Sequence, residues 1–383
     1  MRALREGRRR LKFKTWPLLV IAFTVIIYLT RIHVEMVDFD VYRTAASRAL
    51  SGENLYRVTD GHYQYKYLPA FAFVMAPFTK IDFNVARLIW YGLTVGILCV
   101  FVRWSVRAVP DRRLSEPWLV WAALLFVGKY YARELNLGQT NLLLGMILMG
   151  ALLAAQRGSA ILTGVLVGIG VFVKPYALIL VPWVWLVAGL PGIAAGAMTL
   201  AIGLALPALA FGWQGNIDQV MGWYRTVTAT SPENLLVPEN VSLATTWAKW
   251  IGPGSLATQF AIASSVAVTA VAVAIFAKRR GVRSPAFLEF GVLMLLIPLL
   301  SPQGWDYVFL LATPAVILVV DRWRGLTLPW RAFTAITMFF FSFTIFDLFG
   351  RWLYTRLTAI NIISIAAVAL LLCLARVRWQ KLA

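Results

Sequence analysis

Apolar residues run along the chain in long blocks, broken by short stretches that carry most of the charge. Blocks long enough to cross a bilayer, or nearly so, lie at 16–30, 83–105, 116–131, 139–156, 159–174, 175–190, 193–211, 257–277, 286–300, 306–321, 328–349 and 357–375. A crossing helix needs about 20 apolar residues, so the pattern predicts about twelve transmembrane helices. The first block follows Arg2, Arg5, Arg8, Arg9, Arg10, Lys12 and Lys14, and Tyr28-Leu-Thr-Arg-Ile-His33 behind it offers no small-x-small cleavage site. It therefore reads as a retained helix with its N-terminus in the cytoplasm. Leu68 to Phe78 is apolar but too short for a span. Read as half-buried, it leaves most of the 36 lysines and arginines on the cytoplasmic side; read as a crossing, it removes that bias. The expectation is one transmembrane domain over 1–383 with both termini inside and long loops at 31–82 and 212–256 outside.

Composition excludes a soluble globule. AVILMFWYC residues make up 60% of the chain and charged residues 14%, with a mean hydropathy of +0.74. Soluble domains are about half apolar and a quarter charged. The net charge of +19 could point to nucleic acid, but on so apolar a chain it points to the anionic lipids of the membrane. Cys99 and Cys373 both lie in apolar runs, and His33 and His62 are the only histidines. Neither a disulfide framework nor a His- or Cys-rich metal site is available, and no metal or cofactor is expected.

The unusual polar residues cluster in the stretches assigned to the outer side. Val37 to Leu50 places Phe39, Tyr42, Ala45, Ala46, Ala49 and Leu50 at helical spacing before Gly52, which predicts an amphipathic juxtamembrane helix. Asp38 at its start is either an N-cap or a general base at the membrane surface, with Asp40 as a backup. Lys66, set among Tyr63, Tyr65 and Tyr67, belongs either to an aromatic belt or to a phosphate site. Arg133 precedes Gln139 and Asn141, two polar residues just inside a span, which are functional or packed against partners. Lys174-Pro175 interrupts a long apolar run, so Lys174 is either a hairpin link or a cation facing a cavity. Asn240-Val-Ser242 matches a glycosylation sequon that carries no weight by itself. In Ser301-Pro-Gln303-Gly-Trp305-Asp306-Tyr307 the turn residues stand beside belt-type aromatics, and Asp306 could cap the next helix.

In order, these stretches resemble the polyprenyl-phosphate-dependent glycosyltransferases of the GT-C superfamily, family 87, which includes PimE-like mannosyltransferases and arabinofuranosyltransferases. The matching elements are Asp38-Phe-Asp40-Val-Tyr42, Gly52 to Tyr56, Tyr65-Lys66-Tyr67-Leu-Pro69, Gly138 to Asn141, Lys174-Pro175, Asn240 to Leu243 and Ser301 to Trp305. The resemblance implies a GT-C-like helix bundle and an inverting transfer of a sugar, mannose by analogy. The donor would be a polyprenyl phosphate, and the acceptor a lipid-linked molecule or glycan on the periplasmic face of the bacterial inner membrane. It implies Asp38 as the catalytic base and Lys66 and Lys174 as contacts of the donor phosphate. Asp40, Tyr42, Tyr67, Arg133, Gln139, Asn141, Asn240, Gln303 and Asp306 are the further expected substrate contacts. One departure is that Asp306 and Tyr307 follow Trp305 where close relatives of PimE carry histidine. The alternative is a lipid or solute transporter, but no internal repeat is visible and the polar residues gather at one interface. An acyl or phosphoethanolamine transferase would need a nucleophile or metal cluster, and neither stands out.

Overall fold

The computed structural model describes residues 24–282 and 284–381. The basic N-terminal stretch and the start of the first apolar block lie outside these residues. Among those described, regular structure is helical throughout, apart from one isolated bridge pairing Asn240 with Trp305. The molecule is an all-helical membrane protein. Its helices are α1 (24–30), α2 (Val37–Leu50), α3 (Pro69–Val74), α4 (Phe83–Arg107), α5 (Glu116–Leu137), α6 (Asn141–Gln156), α7 (Ala160–Val173) and α8 (Val181–Ala205). They continue as α9 (Ala208–Glu233), α10 (Leu243–Ile251), α11 (Ser255–Ala277), α12 (Ala286–Leu300), α13 (Thr313–Arg322), α14 (Leu328–Phe343), α15 (Phe346–Ala359) and α16 (Ile362–Trp379).

Among the described residues, four stretches are long and apolar enough to cross a membrane unaided: Phe83–Arg107, Pro175–Ala205, Ser255–Ala277 and Ile362–Trp379. The bent pair α14–α15, with 98° between its arms, would make a fifth. The expected twelve are not reached by this measure, because several apolar blocks are helically discontinuous. The block at 306–321 starts as a 3-10 turn, Asp306–Ala312, before α13 begins. The block at 328–349 stops at Phe343 and turns away, and α6, α7 and α12 are apolar but short.

Pro175–Ala205 is more than one rod. Gly189 adopts φ 59°, a left-handed conformation inside what would otherwise be continuous helix. A Cβ on Gly164 would meet the carbonyl of Gly192, one on Gly168 would meet Gly196 and Thr199, and Gly203 lies against the ring of Phe172. Residues 192–203 therefore climb beside 164–172 in the same direction, and the arm from Pro175 to Gly189 must run back between them. Backbones come this close only where side chains are absent, as in small-residue packing between membrane helices.

α2 forms where the hydrophobic spacing places it and buries Phe39, Tyr42, Ala45, Ala46 and Ala49, while Leu50 is exposed. Its N-cap position is Met36, with no side-chain cap, so Asp38 lies inside the first turn and caps nothing. α3 has six residues and rises about 9 Å, too little to cross. The stretch 212–256, read from sequence as loop, is largely the helices α9 and α10. On α9, Trp213, Ile217, Met221 and Tyr224 point outward at helical spacing, as in a helix lying in the interface.

Gly164→Ala tests the close packing. The added methyl has no room, and overpacking of this kind costs roughly 1–3 kcal/mol, read as a lower melting temperature in detergent. Gly96→Ala on α4, where nothing lies within 4 Å, should be neutral or slightly stabilising.

Candidate active site

The first turn of α2 is clamped from two sides. α5 ends at Gly138 in a left-handed C-cap, and the Met36 amide donates to the Asn136 carbonyl at 3.0 Å. Trp90 Nε1 of α4 donates to the Gly138 carbonyl at 2.9 Å and its ring stacks on Phe39. Arg87, also on α4, donates to both oxygens of Asp40, the shorter contact 2.5 Å, and to the His33 carbonyl at 2.9 Å. Asp40 thus fastens α2 to α4. Asp38 lies two residues earlier, about 200° round the helix, and faces a cleft instead.

That cleft, about 420 Å³, is walled by α2, the segment 62–67, the end of α5, the Lys174–Tyr176 break, α9 and the 301–307 turn. Gln139 links its polar groups. The side-chain carbonyl accepts from Tyr42 and Tyr67 hydroxyls and from Lys174 Nζ, each at 3.1 Å. Its amide donates to Tyr307 at 3.4 Å and is hydrogen-bonded to Asp38. Burial raises the Asp38 carboxyl above the ordinary aspartate value, against the pull of Gln139, Lys174, Lys66 and His62. The shift makes it a stronger base.

The two lysines both line this cleft. Lys174 is extended, at φ −152°, where α7 stops before Pro175, and its ammonium lies in the cleft near the rings of Tyr67 and Tyr176. Lys66 also lines the cleft, and among the described residues its ammonium has no hydrogen bond or ion pair. Burial lowers its pKa, against the attraction of Asp38 and Glu233. The tyrosines beside it are no belt: Tyr65 and Tyr67 are buried, and only Tyr63 is exposed.

Arg133 reaches the cleft while pairing with Asp306 at 3.1 Å and Glu239 at 3.5 Å. Gln303 lines it and donates to Thr230 and Ser231. Trp305 and Tyr307 stand parallel, 8° apart, on the same wall. Asp40, Asn141, Asn240 and Asp306 are not on that wall. Asn240 ties the outer segment to the turn at 301–307, donating to the carbonyls of Asn234 and Pro302, while the Val241 amide bonds Gly304. Asn141 packs against a buried carboxylate, Glu134, which together with Tyr176, Trp223 and Ser231 is absent from the sequence-based set. Among the described residues no three His, Cys, Asp or Glu side chains gather as metal ligands.

Residues 65–302 match the family described as Glycosyltransferase family 87. The chain belongs to that family. No curated protein matches it closely enough to count as a relative. As a family 87 member the protein is a glycosyltransferase, which decides against the transporter reading. The matched region contains Lys66, Arg133, Gln139, Lys174 and Asn240; Asp38 precedes it and is singled out by position in the cleft.

In this glycosyltransferase Gln139→Met leaves two buried hydroxyls and an ammonium without their shared acceptor, at a cost of about 1–3 kcal/mol in thermal or denaturant unfolding. Because Gln139 favours the ionised form of Asp38, the variant should also move the acid limb of the pH–activity profile to higher pH.

Proposed function

We propose that this family 87 glycosyltransferase moves a sugar, with inversion, from a polyprenyl-phosphate donor to a hydroxyl of a lipid-linked or glycan acceptor. The observation that carries the reading is one carboxylate, Asp38, sharing a cleft with two lysine ammonium groups, one of them unpaired. The acceptor oxygen attacks the anomeric carbon and its proton passes to Asp38 as the bond to the phosphate oxygen breaks. The phosphate monoester that leaves gains negative charge, which Lys66 and Lys174 meet in a partly dehydrated site. Trp305 and Tyr307 offer apolar faces to the sugar ring, and Tyr42, Tyr67, Arg133 and Gln303 supply hydrogen-bonding groups around it. Mannose is the sugar that the resemblance suggests.

The same reading sets the protein in the bacterial inner membrane as a single domain of about twelve crossings, with the cleft in the periplasm and both termini in the cytoplasm. In its support, Lys278, Arg279 and Arg280 follow the end of α11 and Arg376 lies in the last turn of α16, where a cytoplasmic face would carry them.

Purified protein in detergent, given radiolabelled polyprenyl-phosphate mannose and an envelope lipid extract, should release polyprenyl phosphate and label the extract. Asp38→Asn should remove turnover by at least about 10²-fold while leaving the melting curve unchanged. Near wild-type activity in that variant would strip Asp38 of the role. Wild-type kcat/KM should fall as pH drops through the Asp38 pKa, at a pH above that of an ordinary aspartate, because only the carboxylate can accept the proton.

A further inference from the structure

A second cavity, about 460 Å³, adjoins the cleft and lies between α2 and the 3-10 segment Val58–Tyr63. Val37, Val41 and Tyr63 line both spaces, so the two are neighbours across these three side chains. On α2, Val37, Val41, Thr44 and Arg48 recur every three or four residues and form one stripe along the cavity. Asp38 and Tyr42 each follow a valine of that stripe, about 100° further round the helix, and face the cleft. Gly61, at φ 58°, bends the facing segment between Asp60, which lines the second cavity, and Tyr63, which lines both.

The two spaces differ in charge. The cleft sets Lys66 and Lys174 against a single carboxylate, Asp38. In the second cavity each carboxylate is already closed on an arginine. Arg48 donates to both oxygens of Asp60, at 2.5 and 2.9 Å, as Arg87 does to Asp40. An anion or a cation therefore gains little by entering. Hydrogen-bonding capacity is left over, because a carboxylate has about four lone-pair sites and a guanidinium five N–H donors, of which pairing takes about two. Thr44 adds a hydroxyl. Thr94, Thr163 and Thr334 bond back to the carbonyl four residues earlier, whereas Thr44 is exposed and among the described residues has no hydrogen-bond partner. Compensated charges with spare donors and acceptors, beside the ring of Tyr63, suit a neutral polyhydroxyl molecule, whose every hydroxyl both donates and accepts.

We propose that the second cavity is the acceptor subsite, holding a neutral sugar residue of the acceptor and presenting one of its hydroxyls across Val37 and Val41 to Asp38. The proposal rests on the reading above, in which Asp38 is the base and the lysines meet the donor phosphate. The bond from the acceptor oxygen to the anomeric carbon forms as the bond from that carbon to the phosphate oxygen breaks, and the hydroxyl proton goes to Asp38. Separate spaces have a physical advantage. The anionic head of the donor takes the open cations of the cleft, an uncharged sugar takes the balanced cavity, and neither competes for the other's groups. Orienting both beside Asp38 before the bond forms lowers the entropic part of the barrier.

Saturation-transfer NMR on the full-length protein in detergent, with methyl α-mannoside, α-glucoside and α-galactoside as probes and no donor present, should show at least one of them bound. Thr44→Trp, which fills the cavity from an exposed position, should remove that signal and raise the half-saturating amount of envelope lipid extract at least about 10-fold, with the KM for polyprenyl-phosphate mannose unchanged. Loss of folding or of the Asp38 geometry would move both substrates together. Thr44→Val removes only the hydroxyl, so it tests the site even if the tryptophan variant does not fold, and should raise the acceptor requirement about two- to tenfold. Transfer of label to a soluble glycoside identifies a free glycan as acceptor, and transfer to the extract alone a glycolipid; Thr44→Trp should weaken either. No bound glycoside, or a wild-type signal and a wild-type acceptor requirement in the folded variant, overturns the proposal. Absence of transfer from the polyprenyl donor by wild-type protein would instead count against the donor reading, and leaves the glycoside result intact.

Discussion

A carboxylate and two ammonium groups share one partly buried cleft without closing on each other, and for Asp38 and Lys174 the neutral amide of Gln139 makes that possible. Were Asp38 to pair directly with Lys174, the base would be weakened and the cation occupied. Gln139 offers its carbonyl to Lys174 and two tyrosines, and its amide side to Asp38 and Tyr307, so each buried group has a partner while net charge remains available. Hydrogen bonds to charged groups contribute about 1.5–3 kcal/mol each, enough to hold the ions in place without neutralising them.

The surrounding acid–base pairs do the opposite work. Asp40 with Arg87, Asp60 with Arg48 and Asp306 with Arg133 are closed pairs, and each ties distant segments together at the rim. The pairs at Asp40 and Asp60 hold structure, while Arg133, though paired, still reaches the cleft beside the lysines. The scaffold beneath them is set by packing without side chains, where glycines of α7 and α8 let three helical arms lie against one another. The break that ends α7 follows from Pro175, which cannot continue the helical hydrogen bonds and forces Lys174 out of helical geometry.

Some of the site could be read directly from residue spacing. The apolar positions of α2 lie at helical intervals, and Lys66, Gln139 and Lys174 stand out because polar side chains are rare so near hydrocarbon. Glu134 offered a similar signal, an acidic residue near the end of an apolar helix with no basic residue three or four positions away, but Arg133 beside it masked the anomaly. Trp223 and Ser231 were hidden for another reason. The polar residues of α9 lower its hydropathy to that of a loop, while the helical spacing of its outward face survives.

The chain alone determined that the protein is helical, that it lives in a membrane, and that its chemically unusual residues gather toward one end, because hydropathy and spacing are local properties. Which residues became chemistry and which became fastening was decided only in three dimensions. Asp38 and Asp40 are near-equivalent in sequence; Arg87, 47 residues further along, occupies one and leaves the other open. Asn240 and Asp306 likewise look like site residues until the turn at 301–307 folds over and binds them into the frame. The strength and availability of a charge depend on what the fold brings within a few ångströms, and sequence neighbours do not report that.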